Sequence, residues 1–184
     1  MRMDSKQFSL PDGRECVLRN PEADDAQALL DYLRDVALET PFLLREPDDA
    51  AIPLEREREI LEGLLAAPRQ MMLAAFVDGR LAGNCSLAPV GNKRRVLHRC
   101  SLAIALYRAY WGLGIGSALL GTLLSEARGL GYEQAELEVV GTNERAIGLY
   151  RKLGFAAYGE RPRAIRYADG TYASELLMVK MLQD

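Results

Sequence analysis

Two early segments place apolar residues at helical spacing: Leu29, Leu30, Leu33, Val36 and Ala37, and then Leu54, Ile60, Leu61, Leu64 and Leu65. The pattern predicts two amphipathic helices. Pro21 opens the first, with Glu22, Asp24 and Asp25 at its positive end, and a proline-marked loop over 40–53 separates the two. Elsewhere the period shortens. CVLRN (16–20) reads as a first strand, preceded by a start that Asp12-Gly13 closes as a hairpin. MMLAAFVDGRLAGNCSLAPV (71–90) reads as two strands joined at Asp78-Gly79, a two-residue turn signal. VLHRCSLAIAL (96–106) is a long apolar strand suited to a central place. From about Leu113, Ile115, Ala118, Leu119, Leu123, Ala127 and Leu130 form one helical stripe that ends near Gly129 and Gly131. QAELEVV (134–140) is the next strand, a helix follows from Asn143 to Gly154, and two final strands flank Asp169-Gly170, read as another two-residue turn.

Composition narrows the class. The 184 residues, 49% hydrophobic, suffice for one α/β domain over 1–184. A net charge of −3 offers no basic field for nucleic acid or an anionic membrane. Cys16, Cys85 and Cys100 are odd in number and sit in apolar stretches, which suits buried thiols in a reducing compartment and not a disulfide framework or a metal site. No run approaches the ~18 apolar residues of a spanning helix, so the chain reads as cytoplasmic. Its partner is then a small molecule or a peptide.

The chemistry concentrates in two stretches, each where a strand pattern gives way to a helix pattern. In AYWGLGIGSALL (109–120), Gly112, Gly114 and Gly116 strip side chains from a turn, which lets backbone N–H groups converge on an anion ahead of a helix N-terminus. A tight packing turn is the plainer reading of such a triplet. The dinucleotide fingerprint would need a glycine at Ser117, and the P-loop a lysine after the last glycine, so neither fits. In NERAIGLYRKLGF (143–155), Ala146, Leu149, Tyr150 and Leu153 share a face, so Tyr150 alone reads as a core aromatic and Asn143 as an N-cap.

Taken together, the two stretches resemble the acyl-CoA site of the GNAT family of N-acetyltransferases. Asn143, Ala146, Leu149, Tyr150, Lys152, Gly154 and Phe155 match its second motif, and the glycine turn its first, with Trp111 standing where the family carries Gln or Arg. The resemblance implies an α/β (α+β) fold: a mixed, mostly antiparallel sheet of six or seven strands with about four helices, strands 96–106 and 134–140 being parallel and splayed. It also implies an enzyme that moves the acetyl group of acetyl-CoA to a primary amine by direct attack, without a metal. The turn residues Trp111, Gly112, Leu113, Gly114, Ile115, Gly116 and Ser117 would hold the pyrophosphate, the backbones of Ile104 and Leu106 the pantetheine arm, and Asn143 the same arm. An amide near Leu106 would stabilise the oxyanion, and Tyr150 would protonate the departing thiolate as general acid.

Glu138, alternating with Leu137 and Val139, is the leading candidate for the base, with Glu136 behind it and a water chain as the alternative. His98 reads as structural. Lys93, Arg94, Arg95, Arg161, Arg163 and Arg166 read as solvated loop and edge-strand charges. A contrasting function class is an acyl-CoA-binding regulator without catalysis, which the intact Tyr150 disfavours. The acceptor pocket would come from the helix pair at 22–66 and the last hairpin, where Glu39, Glu46, Asp48 and Asp49 could attract a cation, and the terminal strands offer an edge for a homodimer.

Overall fold

The computed structural model describes residues 1–46, 49 and 52–183. Eight strands and four α-helices follow in the order β1 (Lys6–Ser9), β2 (Glu15–Arg19), α1 (Ala26–Glu39), α2 (Leu54–Ala66), β3 (Met71–Val77), β4 (Arg80–Pro89), β5 (Arg99–Leu106), α3 (Ile115–Gly129), β6 (Gln134–Val140), α4 (Glu144–Lys152), β7 (Ala156–Arg166) and β8 (Tyr172–Met181). The eighth strand is β1. Its residues KQFS are mostly polar and exposed, so apolar alternation does not reveal it. Asp48, one of the acids noted for the acceptor, lies outside the described residues.

The chain forms two compact units, Met1–Ala88 with Ala103–Leu123, and Pro89–Leu102 with Leu124–Asp184. In the first, β1, β2, β3 and β4 pair antiparallel in sequence order. The core under the helices is Ala26, Leu29, Tyr32, Val36 and Leu61, joined by Leu33, Leu54, Met72, Leu81, Ala105 and Tyr107, so the stripe of α1 faces the core. On α2, by contrast, only Leu61 of the expected stripe is buried, with Glu57 beside it, and Leu54, Ile60, Leu64 and Leu65 are half-buried. Arg19 fixes the entry to α1: its guanidinium holds Asp25 at 2.6 and 2.8 Å while lying 3.9 Å from the Phe76 ring centroid.

The three Asp-Gly pairs divide by backbone angle. Asp78 and Gly79 have φ of 47° and 78°, the two-residue type I′ turn that the strand twist favours. At Asp12-Gly13 and Asp169-Gly170 only the glycine is left-handed, at 87° and 84°. Bonds from Gly13 N–H to Leu10 O (2.9 Å) and from Gly170 N–H to Tyr167 O (2.9 Å) make each a type I turn followed by a left-handed glycine. Asp169-Gly170 is therefore a three-residue loop and not the two-residue turn predicted. Its aspartate instead accepts from Thr171 N–H at 2.9 Å and Thr171 Oγ1 at 2.6 Å, which favours the wider turn.

In the second unit the start of β5 pairs parallel with β6 over Arg99–Ser101 and Gln134–Glu136, as the intervening helix requires. β6 and then β7 flank β8 antiparallel, and register shifts interrupt β7 between Ala157 and Gly159 and between Arg161 and Ile165. The sheet is mixed and mostly antiparallel.

One glycine in the first unit answers to crowding. A Cβ on Gly83 of β4 would lie 2.5 Å from Ala105 O and 2.7 Å from Leu106 Cα, both main-chain atoms of β5. Gly83→Ala is expected to destabilise the protein by about 1–3 kcal/mol, read by urea unfolding, because backbone must shift to admit the methyl group.

Candidate active site

The turn after β5 begins with a short 3-10 turn, Arg108–Tyr110, and reaches α3 through Gly112 and Gly114, whose φ values are 80° and 86°. No protein atom lies within 4 Å of a Cβ built on either, so it is the left-handed backbone that calls for glycine at these two positions. Gly116 already lies within α3. Gly114 O accepts from Ala118 N–H at 3.0 Å, which starts the helix ladder. Among the described residues, the backbone N–H groups of residues 112–117 donate to no protein acceptor. Six successive donors, the last three in the first turn of a fifteen-residue helix, give this end a positive character that suits an anion.

Trp111 is half-buried, and its indole Nε1–H donates to Leu106 O at 2.9 Å. That carbonyl, expected to meet the pantetheine arm, thus already carries one protein hydrogen bond. Ile104 lies within β5 and is also half-buried.

In the second unit, α4 is defined at both ends by its sequence. Asn143 Oδ1 accepts from Ala146 N–H at 3.2 Å as N-cap, leaving the Nδ2 amide for another partner. At the other end Gly154, at φ 87°, closes a Schellman motif: its N–H bonds Arg151 O at 2.9 Å and Phe155 N–H bonds Tyr150 O at 3.0 Å. The apolar contact that accompanies such a cap is here Phe155 on Tyr150, with ring centroids 6.0 Å apart and planes at 63°. Gly154-Phe155 is thus the device that fixes the Tyr150 ring. Tyr150 is only 7% exposed, and burial pushes its phenol up to about 12. It stays protonated throughout the neutral range.

Glu138 lies on β6 with its carboxylate engaged. Arg161 of β7 donates Nη1 and Nη2 to its two oxygens at 2.8 Å each, and Nη1 also reaches Glu175 of β8 at 2.8 Å. These hydrogen bonds hold the Glu138 carboxyl below the usual carboxylate range and raise Arg161. A fork-bonded carboxylate of lowered pKa is a poor setting for a proton acceptor. Arg161, expected as a solvated charge, instead joins two acids. Arg163 lies 4.0 Å from the Tyr172 ring centroid. Glu136 is similarly taken by Arg99, through Nε and at 2.7 Å through Nη2. His98 contributes its backbone carbonyl, which accepts from Glu133 and Gln134.

Of the acids noted for the acceptor, Glu39 accepts the Arg108 backbone N–H at 2.6 Å, and Glu46 and Asp49 bond each other. All three cysteines are buried, and none forms a disulfide. Among the described residues no helix is long and apolar enough to cross a membrane, and no three His, Cys, Asp or Glu side chains gather as a metal site.

The GNAT acetyltransferase family model matches residues 30–155, a span that contains both the glycine turn and α4. The chain belongs to the GNAT acetyltransferase family. The N-alpha-acetyltransferase RimI of Mycobacterium tuberculosis is 34% identical over 119 residues, 65% of this chain and 70% of RimI. A GNAT-family acetyltransferase structure from Streptococcus pneumoniae superposes with a TM-score of 0.85 at 30% identity, covering 90% of this chain and 99% of that one. The yncA structure from Salmonella typhimurium, solved with its cofactor acetyl-CoA, shares the fold with a TM-score of 0.81 at 19% identity, covering 92% and 95% of the two chains. As a GNAT enzyme, the protein is an N-acetyltransferase that moves an acetyl group from acetyl-CoA to an amine.

Proposed function

We propose that the amine is a primary one, a peptide N-terminus or a small molecule, and that it attacks the thioester directly. The likeness to an N-alpha-acetyltransferase supports the amine, and the donor's place is carried by the run of amide donors at 112–117, with no protein acceptor among the described residues, on the positive end of α3. These amides suit a diphosphate, and the Asn143 Nδ2 left over from capping suits an amide carbonyl of a pantetheine arm. Acetyl-CoA supplies an acetyl group activated as a thioester.

The chain's own groups divide the remaining work. The turn from Gly112 to Ser117 binds and orients the diphosphate. Backbone groups of Ile104 and Leu106 pair with the extended arm, the Leu106 carbonyl sharing its second lone pair, and an amide near Leu106 stabilises the oxyanion. Tyr150 donates to the departing sulfur. At about 12 its phenol is a weaker acid than an ordinary thiol, near 8.5. Its main effect is thus a hydrogen bond that strengthens as charge grows on sulfur.

With Glu138 bonded to Arg161, the attacking amine loses its proton to water, and Glu138 serves to hold β6 and β7 in place. Glu138→Gln is therefore expected to leave the acid limb of the kcat/KM pH profile unmoved and kcat within about threefold, since one side of a half-exposed pair is lost. A limb that disappears with the carboxylate would restore Glu138 as the base.

The experiment that tests the whole reading is amine-dependent thiol release from acetyl-CoA across peptides with free N-termini, amino acids and polyamines. Release with an acceptor supports it. Tight acetyl-CoA binding without release for any acceptor would favour the regulator.

A further inference from the structure

The turn carries a brace. Trp111 Nε1–H holds Leu106 O at 2.9 Å, so the side chain that precedes the first glycine is tied to the last residue of β5. The Arg108 guanidinium lies 5.5 Å from the Trp111 ring centroid. Arg108 is itself anchored twice to the end of α1: its backbone N–H reaches Glu39 Oε2 at 2.6 Å, and its Nη2 reaches Glu39 O at 2.5 Å. Within the 3-10 turn, Trp111 N–H bonds Arg108 O at 3.1 Å and Tyr110 N–H bonds Tyr107 O at 3.0 Å. The segment between strand and glycines is therefore held by its own backbone, by α1 and by the indole. The left-handed glycines that follow have no side chain to hold them and nothing within 4 Å of a Cβ position. Gly112 takes its place in space from what precedes it, and Gly114 from both sides, since its carbonyl also accepts from Ala118 N–H of α3.

We propose that Trp111 is a positioning residue: its hydrogen bond to Leu106 O, supported by Arg108 and Glu39, sets where the turn presents its amides to the donor's diphosphate. The proposal rests on the reading of residues 112–117 as the diphosphate site. Trp111 acts through the backbone and leaves the reacting thioester untouched.

The test compares two donors with the full-length enzyme, acetyl-CoA and S-acetylpantetheine, which carries the same thioester arm without a diphosphate. Wild-type enzyme with a strong preference for acetyl-CoA in kcat/KM supports the diphosphate reading, and equal use of both donors defeats that reading and the proposal with it. Given the preference, Trp111→Phe keeps a ring and loses the N–H. It is expected to cut the acetyl-CoA to S-acetylpantetheine ratio about tenfold through KM, the size of one lost hydrogen bond. An unchanged ratio overturns the positioning role while leaving the diphosphate site standing, as does an equal loss with both donors, the mark of general structural damage. Should Trp111→Phe fail to fold, Glu39→Ala removes the acceptor of the Arg108 N–H and is expected to lower the same ratio about threefold. No change in that variant overturns the proposal.

Discussion

Tyr150→Phe lowers kcat for acetyl transfer by about a hundredfold, with the KM for acetyl-CoA kept within about twofold, because the hydroxyl acts on charge that exists only as the C–S bond breaks. The ring keeps its packing on Phe155, so thermal stability stays close to that of the wild type. The pH dependence makes the result specific. Burial raises the phenol to about 12, and the acid is competent while protonated, so its contribution persists from neutral to strongly alkaline pH and is lost only as pH rises through that value. Wild-type and variant kcat profiles should run parallel up to about pH 11. Profiles that converge near pH 10 would mean an ordinary, solvated phenol, and full activity in the variant would remove Tyr150 from the mechanism.

Gly114→Val attacks the donor side. At φ 86° a β-branched residue is strained by about 1–3 kcal/mol, which relaxes the turn out of shape, and calorimetry should show acetyl-CoA affinity lower by about 10–100-fold. Gly121→Ala serves as control. Gly121 lies within α3, has open space at its Cβ position, and should bind acetyl-CoA as the wild type does. Equal loss in both variants would trace the effect to α3 as a whole, and undiminished binding in Gly114→Val would remove the turn from the site.

Local rules made much of this legible. The glycine turn, the Asn143 cap and the Asp78-Gly79 hairpin each depend on residues a few positions apart, so sequence spacing carries their geometry. The same holds for Gly154-Phe155, where cap and ring contact lie within six residues of Tyr150. Arg161 and Glu138 are different: 23 positions separate them, and they meet only because β6, β8 and β7 lie side by side in a particular register. Neither residue's own neighbourhood in the sequence encodes that register. β1 was hidden for another reason, its polar, exposed residues. At Asp169-Gly170 the dipeptide allowed two turn types, and in the wider one the Asp169 carboxylate accepts from Thr171 as Asp12 accepts from Arg14.

The protein contains one tryptophan, and it stands at the head of the glycine turn. Its near-ultraviolet emission is accordingly a label placed by nature at a single point, so the occupancy of this region can be followed optically in unmodified enzyme, in real time and at every stage of turnover.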